Sequence, residues 1–194
     1  MTKTLERKEE ILSKALSLSS RLGLEALSIG KLAEEVGMSK SGLFAHFNSK
    51  EQLQIEVLRH AAQVFVNKVL RPALGVPAGV GRIEAYARHW LWWMQNELPG
   101  GCPFVAAMME YDDRPGPVRD MVRRELGLLH QSLTRLAASA KEVGDFSPQA
   151  DCEQFAFGFF SLYLGAHFQI RLLQAPQGVT LFQEGLNRLL RQFR

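Results

Sequence analysis

Apolar residues along the chain recur at helical spacing, and no segment alternates apolar and polar positions for long enough to make a half-buried strand. Ile11, Ala15, Leu18 and Leu22 stand at i, i+4, i+7 and i+11, with Gly23 placed to stop the helix. Ser28 is a cap for a second helix whose apolar face is Ile29, Leu32, Ala33 and Val36, ended by Gly37. Ser39 caps a third, short helix. Ser49 with Gln52 three residues on forms a capping box for a fourth that runs to about Leu70.

Beyond that point the punctuation changes. "RPALGVPAGVG" reads as a connection, followed by a Trp-rich helix over about residues 82–96, the loop "LPGGCPF" and a short helix from Phe104 to Tyr111. After "DDRPGP" a long helix carries Val118, Val122, Leu126, Leu129, Leu133, Leu136 and Ala140 near one face. Ser147 and Pro148 are expected to open the next helix, with Pro at its favoured first position. Thr180 and Gln183 form a further capping box for the last. The pattern predicts an all-α fold of about nine helices with no internal repeat.

The third helix is the unusual one. Leu43 and Phe47 make its buried stripe, while Ser41, Gly42 and Ala45 face away and Phe44 and His46 lie on the shoulders. An outer face of Ser, Gly and Ala is lean enough to enter the major groove of B-DNA and reach base edges. The Gly-containing turn "EVGMS" joining it to the second helix gives the helix-turn-helix arrangement, whose second helix is the reader. From Gly37 to Lys50 there are two lysines, one histidine and no carboxylate. Lys50 stands in the first turn of a helix, where cations are unfavourable. A phosphate docked on the amides of Ser49, Lys50 and Glu51 would account for it.

Composition bounds these readings. The 194 residues are 46% hydrophobic and 22% charged, an ordinary globular balance with a net charge of +3. Through residue 60, nine Lys and Arg meet eight Glu, so nucleic-acid binding rests on local placement and not on a polybasic arm. Cys102 and Cys152 are too few for a disulfide framework and fit a reducing compartment. The N-terminal run lacks the apolar stretch of a signal peptide, and "FAFGFFSLYLGAHFQIRLL" is broken by His167, Gln169 and Arg171 short of a membrane span. A cytoplasmic protein without membrane association is expected. No Cys/His ligand spacing, nucleophile motif or Gly-rich phosphate loop points to a metal, a cofactor or an enzyme. The carboxylates Glu110, Asp112 and Asp113 read as a solvated turn.

The run "ILSKALSLSSRLGLEALSIGKLAEEVGMSKSGLFAHFNSKEQL", Ile11 to Leu53, resembles the DNA-binding head of the TetR family of bacterial transcription regulators. The resemblance implies a homodimer on a palindromic operator in double-stranded DNA, and a small-molecule effector bound in each body. It divides the chain into a helix-turn-helix domain, 1–53, and a helical ligand-binding and dimerisation domain, 54–194. Its base-facing positions fall on Lys40, Ser41, Gly42 and Phe44, and its backbone contacts on His46 and Lys50, with Ser28 and Ser39 at the two helix starts. Three departures stand out. Phe44 replaces a common Tyr, Gly30 stands where a polar or basic base-reader is frequent, and Ser19 stands where an aromatic core residue is usual. "GGCPF" and "EYDDRPGPVRD" resemble a pattern in one subgroup of the family.

Two further sets of residues are candidates in the body. Trp90, Trp93, Met94, Cys102, Phe104, Met108, Tyr111, His130, Phe159, Tyr163 and His167 would suit an apolar or aromatic ligand, since Met repacks and Trp stacks. For any single one of them a place in the core is a readier reading than ligand contact. A redox role for Cys102 has no legible base to support it. Gly158, Ser161 and Gly165 form a small-residue stripe that with Leu162, Leu186, Leu189 and Phe193 would pair two copies as a four-helix bundle, or would pack helices within one chain. The expected function is a repressor released from its operator by an effector. A helical small-molecule carrier, an activator or an architectural DNA binder are the alternatives.

Overall fold

The computed structural model describes residues 2–194, with side chains from residue 6 onward. Among these residues there is no strand. The α-helices are α1 (Thr2–Leu22), α2 (Ile29–Val36), α3 (Lys40–Phe47), α4 (Lys50–Phe65), α5 (Arg71–Leu74), α6 (Val80–Trp92), α7 (Pro103–Tyr111), α8 (Pro117–Glu142), α9 (Cys152–His167) and α10 (Gly178–Gln192). Three π-helical stretches extend them: Val66–Leu70 joins α4 to α5, Trp93–Glu97 prolongs α6, and Phe168–Leu172 prolongs α9. Counting each continuous rod once gives nine helices among the described residues, as the periodicity predicts.

The chain packs as two compact units. One holds the residues through Phe65 together with Gln95–Leu126; the other holds Val66–Met94 and Gly127–Arg194. In the first unit Ile11, Leu27, Leu32, Leu43, Phe47, Leu53 and Leu58 are buried, so the apolar faces of α1 to α4 meet as their spacing requires. Ser19 is buried among them, and its hydroxyl donates to the Leu16 carbonyl at 3.0 Å. The helix absorbs that polar atom by back-bonding, so the missing aromatic leaves no unsatisfied group. Phe104 of α7 meets Phe65 edge-on at 6.2 Å, seating α7 against α4 in this unit.

The core of the second unit is a run of aromatic rings. Trp90 stacks on Tyr163 at 4.2 Å and on Phe159 at 5.9 Å, and Tyr86 meets the Trp90 edge at 5.4 Å. Phe155, Phe146 and Phe193 continue the run at spacings of 5.2 to 5.8 Å. Offset and edge-on contacts of this kind hold α6, α9 and α10 together beyond what buried area alone gives.

Two predicted helix starts fall elsewhere. α9 opens at Cys152 and not at Ser147–Pro148, because the Asp151 carboxylate accepts from the amides of both Glu153 (2.9 Å) and Gln154 (3.1 Å). Ser147 instead forms a turn, its carbonyl accepting from Ala150 N–H at 2.9 Å. α10 opens at Gly178, which leaves Thr180 inside the first turn and the expected capping box unformed. At Ser49 only half the box forms: its hydroxyl accepts from Gln52 N–H, while the Gln52 side chain turns to Glu56.

Candidate nucleic-acid interface

Ser28 and Ser39 cap α2 and α3 as their positions predict. Ser28 Oγ accepts from Lys31 N–H at 3.3 Å, and Ser39 Oγ from Gly42 N–H at 3.1 Å. Between the helices Gly37 adopts φ +65°, a left-handed conformation natural to glycine, and Met38 N–H reaches back to the Ala33 carbonyl at 3.0 Å. These contacts fix the angle at which α3 leaves α2.

α3 is anchored by Leu43 and Phe47, both fully buried. Lys40, Ser41 and Ala45 are exposed on the opposite side, Gly42 and His46 are half-buried, and the Phe44 ring is 52% exposed. A phenyl ring standing in water on an otherwise lean face is available to a thymine methyl or a sugar. Gly30 of α2 lies against the Lys40 side chain. A Cβ at that position would lie 3.2 Å from Lys40 Cε, so the bare backbone makes room for the Lys40 stem to cross the start of α2.

Lys50 does not stand free. Its ammonium pairs with Glu25 Oε1 at 2.8 Å, in the turn between α1 and α2. Glu25 Oε2 accepts from the Tyr111 hydroxyl at 2.8 Å and lies 3.7 Å from Arg114 Nη1. The Lys50 hydrogen bond, then that of Tyr111, holds the Glu25 carboxyl below its ordinary range, and burial beside Glu25 raises the Tyr111 phenol. Glu110 accepts two successive amides of the same turn, Leu24 N–H at 3.1 Å and Glu25 N–H at 2.7 Å. The expected solvated acidic turn is therefore a binding element at Glu110. The Ser49 amide, expected to be open to a phosphate, donates to the Phe47 carbonyl at 2.7 Å.

The other candidate residues fall in both units. Trp90, Trp93, Met94, Phe159 and Tyr163 are buried in the second unit, and Cys102, Phe104 and Tyr111 in the first, with Met108 half-buried beside them. His130 faces Glu153, Nδ1 to Oε2 at 3.5 Å, on a solvent-accessible edge. Burial, and then Arg171, lowers the pKa of His167. Among the described residues no group of His, Cys, Asp and Glu is placed to hold a metal ion, and no helix is long and apolar enough to cross a membrane.

α9 and α10 lie side by side and form a surface groove of about 630 Å³ along Gly158, Ser161, Leu162, Gly165, Leu181 and Leu189. The small-residue stripe divides here. A Cβ on Gly158 would come within 2.8 Å of Leu189 Cδ1, so Gly158 serves packing within the chain, whereas Gly165 has open space above it. Leu186 is buried, and Phe193 packs on Phe146 and Phe155.

Two family models match the chain: "Bacterial regulatory proteins, tetR family" over residues 11–57, and "Tetracyclin repressor-like, C-terminal domain" over residues 79–186. Curated proteins match this chain over short stretches only. HTH-type transcriptional regulator RutR of Escherichia coli is 38% identical over 60 residues, 31% of this chain and 28% of RutR. The HTH-type transcriptional repressor AcnR of Corynebacterium jeikeium is 38% identical over 56 residues, 29% of this chain and 30% of AcnR. These matches thus span under a third of either relative. A TetR transcriptional regulator from Chloroflexus aurantiacus superposes with a TM-score of 0.86 at 24% identity, covering 98% of this chain and 96% of that one. AibR, solved with isovaleryl coenzyme A and operator DNA, superposes at 0.68 with 21% identity, covering 95% and 96%. With both halves of its length matched by the family's models, the chain belongs to the TetR family of DNA-binding transcription regulators and is not an enzyme.

Proposed function

We propose that the protein is a homodimeric repressor that holds a palindromic operator and is released by a small apolar or aromatic effector. Residues 1–53 form the DNA-reading domain in this reading, and residues 54–194 carry effector binding and dimerisation. The observation that carries it is the geometry of α3: a helix capped at its start, anchored by Leu43 and Phe47, and offering Lys40, Ser41, Gly42 and Phe44 on its lean side. Ser28 and His46 flank that face, and Lys50 begins the helix that follows it. The Trp- and aromatic-rich composition of α6 and α9 supports an effector that stacks, and AibR is a neighbour in fold whose structure holds both an acyl coenzyme A and DNA.

The effector acts through its differential affinity for the DNA-competent and DNA-incompetent states, and DNA weakens effector binding by the same factor. The test is fluorescence anisotropy of the full-length protein against fragmented genomic DNA. Each phosphate neutralised contributes about −0.9 to the slope of log affinity on log salt, so a multi-contact operator complex gives a steep line. A flat line sinks the phosphate contacts. Lys50→Ala weakens all sequences alike, whereas Ser41→Asn changes which sequence is preferred.

A further inference from the structure

Lys50 is the residue in the reading above with the clearest claim on a DNA phosphate, yet its ammonium already holds a carboxylate oxygen at 2.8 Å. The partner is not a loose surface acid. Glu25 has both oxygens engaged, Oε1 by Lys50 and Oε2 by the Tyr111 hydroxyl at 2.8 Å, with the Arg114 guanidinium 3.7 Å away. Its own amide is taken by Glu110, which also holds the amide of Leu24, and the Leu24 carbonyl accepts from the buried Gln54 side chain at 2.8 Å. Backbone and side chain of residue 25 are thus fixed from α4 on one side and from α7 on the other. A carboxylate held this way loses little further freedom by keeping Lys50, so it competes better for the ammonium than a mobile glutamate would.

The geometry points to Glu25 as a built-in stand-in for phosphate, which must release Lys50 before Lys50 can contact DNA. α7 supplies the groups that position it, through Glu110 and Tyr111. The assignment rests on Lys50 being a backbone contact, and it makes Glu25 a positioning residue that opposes binding and not a DNA ligand itself. Phosphate contacts are sequence-independent, so the effect is read on any duplex and needs no operator.

The experiment is a double-mutant cycle on the full-length protein, titrated at low salt against a fluorescent duplex of arbitrary sequence about two to three turns long. Glu25→Gln keeps the shape and a hydrogen-bond acceptor for Tyr111 and removes the charge. It should tighten binding by roughly two- to fivefold per head, the range of an exposed ion pair, and that gain should vanish in the Lys50→Ala background. Glu25→Ser, which shortens the side chain, should give the same sign. An equal gain with Lys50 replaced means that a negative charge was merely removed near DNA, and it overturns the proposal. So does unchanged or weaker binding by both Glu25 variants while Lys50→Ala weakens the wild type. Wild type and Lys50→Ala binding alike removes Lys50 from the interface. No binding by the wild type at any salt strikes at the functional reading instead.

Discussion

At the scale of single residues, Lys50 shows what sequence can and cannot carry. A lysine in the first turn of a helix is visibly out of place, and the sequence alone offers a phosphate as its reason. The structure supplies a second reason, Glu25, lying 25 positions earlier in the chain. Glu110 and Tyr111, which complete the cluster, lie 85 to 86 positions from the residues they bind. Nothing in local spacing marks such a pairing; the same letters in "MEYDD" read as a solvated turn. Glu110→Gln tests it. One carboxylate oxygen becomes an NH₂ group pointing at a backbone N–H, so one of the two amides loses its acceptor. The expected loss is about 1–3 kcal/mol in urea unfolding of the unit that holds it. A midpoint unchanged from wild type would mean the amides are satisfied without the carboxylate. Protonation acts on the same cluster from the acid side. The Glu25 carboxyl lies below its ordinary 4.5 in the folded protein, so its contribution is complete above that value and fades as pH falls through the lowered one. Glu25→Gln should flatten that part of the acid limb of a stability–pH curve.

At the scale of elements, the helix pattern was legible because burial and period mostly agree: Ile11, Ala15, Leu18, Leu32, Ala33, Leu43 and Phe47 are buried as their spacing predicts, whereas Leu22 at the end of α1 is 48% exposed and Ile29 and Val36 are half-buried. The caps Ser28 and Ser39 were legible for the same reason, since each precedes an apolar-periodic run. At Ser147 the cap failed because a charged acceptor lay nearer the helix: Asp151 Oδ1 takes the amides of Glu153 and Gln154, while α10 opens at Gly178 with no side-chain cap. The π-helical stretches at Val66–Leu70, Trp93–Glu97 and Phe168–Leu172 were not legible, because one extra residue in a turn shifts a hydrophobic stripe by less than the width of the stripe itself. Ser39 offers the element-scale prediction. Ser39→Ala leaves the Gly42 amide without its acceptor and also removes the partner of the Ser41 hydroxyl at 3.2 Å. Loss of an N-cap costs about 1 kcal/mol. Because the frayed turn is the one carrying Lys40 and Ser41, DNA affinity should fall further than Lys40→Ala alone makes it fall. A Ser39→Ala protein that keeps wild-type DNA affinity would show that the α3 start is ordered without its cap.

At the scale of the whole molecule, one small DNA-reading head contacts too few base pairs to choose a site, so specificity requires two heads joined at a fixed spacing. The α9–α10 groove is the surface proposed to join them, and its glycines allow a clean test. Gly165 has nothing within 4 Å of where a Cβ would stand, whereas Gly158 and Gly185 would drive a Cβ into Leu189 and Leu162 of the same chain. Gly165→Arg therefore adds bulk and charge to the groove without disturbing the subunit, and replacing glycine inside a helix favours the helix by up to about 1 kcal/mol. The variant should melt no lower than the wild type, yet sediment as a monomer. Its affinity for an operator should fall by about a hundredfold or more, because the second head's binding is no longer intramolecular. Gly158→Leu is the contrast: it should lower the melting temperature, since the clash is inside the chain. A Gly165→Arg protein that remains a dimer and keeps its operator affinity would place the subunit contact on another surface, and the open face of α9 would then need a different occupant.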